Sequence, residues 1–92
     1  MDRITNSNLE GLVKLINKQL NRPEVPYTRE EGRYKANIGN FHLSYAYGGV
    51  CLQEMYNEGG AVNSTLNTGY TTKRALYDAM QAFLKGIEAG RE

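Results

Sequence analysis

The sequence predicts one α+β domain, in which two helices pack on one face of a small antiparallel sheet. Three observations predict it. Apolar residues recur at helical spacing near both ends of the chain, at Leu9, Leu12, Val13, Ile16 and Leu20, and again at Leu76, Met80, Phe83 and Ile87. Between them the pattern changes to alternation, with Phe41, Leu43 and Tyr45 set against His42 and Ser44. Two glycine pairs, Gly48-Gly49 and Gly59-Gly60, bracket the apolar run that follows, as turns bracket a strand.

In chain order, Ser7-Asn8-Leu9-Glu10 fits a capping box, with Ser7 as the cap and Glu10 reaching back, so a helix is expected over residues 7–21. Pro23 ends it. Pro23-Glu24-Val25-Pro26 is an extended connector, and Tyr27-Thr28 begins a short strand. Arg29-Glu30-Glu31-Gly32 reads as a turn, because glycine there accepts positive φ. A strand is expected over 33–46, interrupted at Gly39-Asn40, where a strand glycine marks a bulge. Tyr47-Gly48-Gly49 is a hairpin turn, and the return strand over 50–57 carries apolar residues on both faces. A strand covered on both sides, or one at a subunit contact, has that composition. Asn57-Glu58-Gly59-Gly60 is a second turn. Residues 61–66 have the length of a third strand, and Asn63, Ser64 and Thr65 weaken it. Thr71 or Thr72 caps a last helix over 72–89, and Gly90 stops it. The expected order is α-β-β-(β)-α.

The chain has 92 residues, enough for one modest core and little room for a deep, closed active site. Small domains are marginally stable, so a second copy covering part of the surface is expected to help. The formal charge of +1 is too small for a strongly basic nucleic-acid binder and too positive for a DNA mimic. Cys51 is the single cysteine, which excludes an internal disulfide and a multi-cysteine zinc site. The first residues have no apolar run of a signal peptide, and no apolar stretch reaches the ~20 residues of a membrane helix, so a cytoplasmic protein is expected. Seven tyrosines stand against two phenylalanines and no tryptophan. Tyrosine suits half-wet contact surfaces, and it also simply lines sheet faces.

His42 and Cys51 lie on paired strands, where a Cys–His nucleophile pair is conceivable. No orienting group accompanies them, and a sheet face is a poor site for an activated thiolate. No residue is therefore expected to be catalytic, and no metal or cofactor is expected. Two turns carry binding features. Asn57-Glu58-Gly59-Gly60 combines an amide, a charge and open backbone, whereas Tyr47-Gly48-Gly49 suits plain hairpin geometry. Thr71-Thr72-Lys73-Arg74 gathers two hydroxyls, two cations and the N–H groups of a helix start, which is the sharpest anion signal in the chain. Cations are disfavoured in a first helical turn, so these two are tolerated or used.

Two resemblances follow from these segments. Thr72-Lys73-Arg74-Ala75 and the α-β-β-β-α order resemble the double-stranded-RNA-binding domain, whose second helix opens with Ser-Lys-Lys and Ala. The Asn57 turn is acidic where such domains enter the minor groove, and their Gly-Pro-x-His stretch is missing. Residues 36–44, Ala46-Tyr47-Gly48-Gly49, Asn57-Glu58-Gly59-Gly60 and Gly69-Tyr70-Thr71-Thr72-Lys73-Arg74 before Leu76-Tyr77 resemble a family of short, largely uncharacterised bacteriophage accessory proteins. This second resemblance implies a host-takeover or anti-defence factor that inhibits or sequesters a host protein or a nucleotide signal. The expected contact surface is Tyr45, Tyr47, Asn57, Glu58, Thr72, Lys73 and Arg74. The alternative is a nucleic-acid-binding module with Lys14, Lys73 and Arg74 on phosphates.

Overall fold

The computed structural model describes residues 3–66 and 69–90. Its elements are α1 (Asn6–Gln19), β1 (Tyr27–Glu30), β2 (Arg33–Ala36), β3 (Phe41–Ala46), β4 (Gly49–Met55), β5 (Val62–Ser64) and α2 (Lys73–Ala89). The fold is α+β, with two small antiparallel sheets. One is the β1–β2 hairpin and the other has the order β3-β4-β5.

Both helices cover one face of the three-stranded sheet. Leu9, Val13 and Ile16 of α1 meet Leu76, Met80 and Leu84 of α2 over Phe41, Val50 and Leu52. The strand registers explain the selection. Leu43 stands opposite Leu52, and Tyr45 opposite Val50, so the apolar members of the alternation share the helix side. At about 25 cal/mol per Å² of apolar surface removed from water, this layer is the main stabilising term. Cys51 and Met55 point to the other face and are buried as well. On that side Ser64 of the neighbouring β5 reaches the Cys51 thiol at 3.4 Å, and Tyr70, from the segment before α2, reaches Ser44 with its hydroxyl at 2.8 Å. β4 is thus covered on both faces, as its composition predicts.

Four sequence expectations need correction. The first helix is capped by Thr5 and not Ser7. Thr5 Oγ1 accepts from the Asn8 N–H at 3.2 Å, and Asn8 Oδ1 accepts from the Thr5 N–H at 2.9 Å. The short Asn8 side chain closes the capping box two residues before the one read from Ser7 and Glu10. The helix also ends at Gln19 rather than residue 21, because Asn21 turns to φ 54°.

The expected strand over 33–46 is two strands in different sheets. Asn37 to Asn40 form a tight turn, in which the Asn40 N–H donates to the Asn37 carbonyl at 3.1 Å and Gly39 takes φ 90°. The bulge itself is present. The Gly39 N–H donates to the Met55 carbonyl, and the Met55 N–H donates to the Asn40 carbonyl, so two residues oppose one. The turn redirects the chain there and leaves β1–β2 projecting, with all of its residues exposed except Ala36.

The third correction concerns residues 27–30, which form a full strand where a two-residue start and a turn were expected. Its tight turn is Glu31-Gly32, both at positive φ. The fourth concerns bounds alone: the third strand expected within 61–66 is present and is shorter, Val62–Ser64, paired with β4. The last helix agrees with expectation. Thr72 is its cap, accepting from the Ala75 N–H at 3.1 Å.

Polar contacts fasten the sheet to α1. Arg22, just beyond α1, donates to Glu54 at 2.8 Å and to the Gly39 carbonyl at 3.3 Å, with its guanidinium over the Phe41 ring. The buried Asn17 amide donates to the Phe41 carbonyl at 3.0 Å and accepts the Phe41 N–H at 2.9 Å.

Candidate functional site

The predicted contact residues separate into two groups at opposite ends of β4. At one end, Tyr45, Gly48, Gly49, Thr71, Thr72 and Lys73 line an open groove of about 390 Å³. The β3–β4 hairpin turn forms one wall and the start of α2 the other. Gly49 allows this juxtaposition. A side-chain carbon at that position would lie 2.9 Å from the Thr71 carbonyl oxygen and 3.0 Å from its nitrogen. With none there, Val50 and Thr71 exchange two backbone hydrogen bonds, at 2.8 and 3.0 Å. The helix start is thereby held against the hairpin.

Tyr47 occupies the turn at the same end. Tyr47 and Gly48 both have positive φ, 55° and 74°, which is the two-residue geometry that suits strand twist. Asparagine and glycine favour this turn, and a bulky aromatic is strained in it by about 1–2 kcal/mol. The residue is 93% exposed, and its ring makes an edge contact to Tyr70 at 5.3 Å between centroids. Burial, and then the charge of Glu10, raise the Tyr45 hydroxyl above its ordinary pKa.

Arg74 belongs to the helix flank rather than the groove. Its guanidinium lies 3.7 Å from Asp78 and over the Tyr77 ring. That pairing relieves the cost of a cation in the first turn. Lys73 is exposed and faces the groove.

At the far end, Asn57 shapes its own turn. Its Oδ1 accepts from the Gly59 and Ala61 N–H groups at 2.9 and 3.2 Å. Glu58 lies 3.5 Å from Lys35 and, with Glu30, Glu31, Arg33 and Tyr34, lines a mixed-charge hollow beside the β1–β2 hairpin. Asn57 and Glu58 therefore share no surface with Lys73. The missed member of the groove is Gly49, whose role depends on the close approach of Thr71 and leaves no local signal in the sequence.

Cys51 and His42 have other partners. Cys51 stands opposite Ser44, and His42 opposite Gln53. His42 Nδ1 lies 3.2 Å from Asn40 Oδ1. Burial lowers the His42 pKa, opposed by its hydrogen bonds to Gln53 and Asn40. Among the described residues, no group of three His, Cys, Asp or Glu could hold a metal ion, and no helix is long and apolar enough to cross a membrane.

Fold and site together define a small α+β protein with shallow, solvent-open grooves. The chain matches no family model, no curated protein and no solved structure.

Proposed function

We infer that this is a small binding protein, of the kind phages use to inhibit or sequester a host protein or nucleotide signal. An anionic group of its ligand sits in the groove between the hairpin turn and α2. The observation that carries the reading is the convergence of Tyr45, the Gly48-Gly49 backbone, Thr72 and Lys73 on one groove. A helix start and a lysine both favour a phosphate or carboxylate there. The strained, exposed Tyr47 adds support, since strain of this kind collects at contact sites. The phage assignment rests on the sequence resemblance alone.

The test is calorimetric titration with mono- and dinucleotides and inorganic pyrophosphate. A charge-assisted hydrogen bond is worth about 1.5–3 kcal/mol, so Lys73→Ala is expected to weaken binding by roughly 10- to 100-fold. No binding by any of these anions, or equal binding by Lys73→Ala, defeats the groove assignment. Binding that disappears steeply with salt and extends to duplex RNA would instead favour the nucleic-acid reading.

Tyr47→Asn separates contact from stability. The relief of turn strain and the lost Tyr70 contact, each about 1 kcal/mol, offset one another. Urea unfolding is expected to stay within about 1 kcal/mol of the parent, while partner or ligand affinity falls by about tenfold. Unchanged affinity would make Tyr47 a bystander.

A further inference from the structure

β3 has one edge against β4 and one open edge. The β3–β4 hairpin closes on Ala46 and Gly49, so alternate residues of β3 turn their backbone groups away from β4. These are Phe41, Leu43 and Tyr45. Asn17 occupies the outward N–H and C=O of Phe41. Beside Phe41, the bulge at Gly39-Asn40 ends the strand. In the other half of the edge, the outward N–H and C=O groups of Leu43 and Tyr45 have no hydrogen-bond partner among the described residues, and the strand itself carries no lysine, proline or bulge there. Proteins normally blunt such edges because they recruit further strands.

The surroundings are self-complementary. α1 runs antiparallel to β3, with Asn17 bonded to Phe41 and Glu10 close enough to Tyr45 to perturb its hydroxyl. Glu10, Val13 and Lys14 line a groove along the edge, with Glu24 and Pro26 beyond it. Leu15 and Val25 are exposed apolar residues on the adjoining surface, 40% and 54% accessible, and nothing approaches within 4 Å of a Cβ placed at Gly11.

We propose that this edge joins two copies of the chain, β3 pairing antiparallel with its twin about a twofold axis at Ser44 to make one continuous six-stranded sheet. In that register Leu43 faces Tyr45 of the second copy and Tyr45 faces its Leu43. Every backbone group of the open half finds a partner, in four N–H···O=C bonds. The same axis sets the two α1 helices antiparallel, with Glu10 of each directed toward Lys14 of the other. Gly11 leaves room for their approach. A register displaced by two residues would place in the pairing either Phe41, already occupied by Asn17, or Tyr47, which lies in the hairpin turn. Opposite charges at the symmetry-related positions favour a second copy over an unrelated extended peptide. The inference does not depend on the anion groove, because its readout is the oligomeric state.

The experiment is sedimentation velocity and native mass spectrometry of the full chain, with amide exchange read by NMR. The parent is expected to be a dimer at concentrations on the order of 10 µM, with slow exchange at the Leu43 and Tyr45 amides that quickens on dilution. Lys14→Glu is expected to raise the dimer dissociation constant by tenfold or more, and Glu10→Lys with Lys14→Glu to restore it. Both positions are exposed, so the variants retain the fold. Tyr45→Pro, which removes an outward N–H from an edge strand, is expected to give a monomer. A parent that stays monomeric, or a dimer indifferent to the single charge reversal, overturns the proposal.

Discussion

Replacing Asn17 with Leu is expected to destabilise the protein by about 2–4 kcal/mol. The Asn17 side chain makes two hydrogen bonds to the backbone of Phe41, and both residues are buried. Leucine fills the space and satisfies neither group. The Phe41 N–H and C=O are then left under α1, where each unpaired group costs about 1–3 kcal/mol. In a domain of this size the melting temperature should fall by roughly 10–25 °C. Asn17→Asp keeps an acceptor for the N–H but sets an anion against the carbonyl, so it should be no better tolerated. Thermal and urea unfolding followed by circular dichroism decide the matter. A loss below about 1 kcal/mol would mean that water replaces the amide.

Gly49→Val should have the largest effect on the groove. Its Cβ would stand 2.9 Å from the Thr71 carbonyl oxygen, and the obstacle is backbone rather than a movable side chain. The segment before α2 must move away, breaking both Val50–Thr71 hydrogen bonds. Overpacking of this kind costs about 1–3 kcal/mol, and the two bonds contribute about 1 kcal/mol each. α2 itself should survive, since Thr72 still caps it and Leu76, Met80 and Leu84 still anchor it. Hydrogen exchange should therefore quicken at Val50 and Thr71 while helical content is kept, and anion binding in the groove should be lost. Retained protection at both amides would show that the helix start does not depend on the glycine.

Several features were legible because their cause is local. The stripes of α1 and α2 are written in apolar spacing, and the Tyr47-Gly48 turn follows from glycine between alternating segments. The bulge at Gly39 and the double coverage of β4 were also readable, the latter from Cys51 and Met55 alternating with Val50 and Leu52. The capping box was misplaced because Ser7-Asn8-Leu9-Glu10 carries the usual Glu at its last position, whereas Thr5-Asn6-Ser7-Asn8 closes the box with an Asn that the pattern does not include. Only the backbone trajectory selects between them. The length of the strand before Phe41 was misread because alternation continues through the Asn37–Asn40 turn.

The candidate site divides in the same way. Thr72 was readable as the cap of the last helix with Lys73 beside it, and Tyr45 as a strand residue near a turn. That Lys73 shares a groove with Tyr45, while Arg74 leans on Asp78 and Asn57 braces its own loop, depends on contacts between segments distant in the chain.

By itself the sequence determined the number of helices, their buried stripes, the hairpin at Tyr47-Gly48 and the α+β class, since each follows from side-chain periodicity and turn chemistry within a few residues. Only the tertiary structure decided that the strands divide into two sheets, that Gly49 admits Thr71, and that β3 keeps one half of its edge open while Asn17 closes the other. Those outcomes depend on which backbone hydrogen-bonding groups meet across the fold, and every residue carries the same backbone groups, so no pattern of side chains announces them.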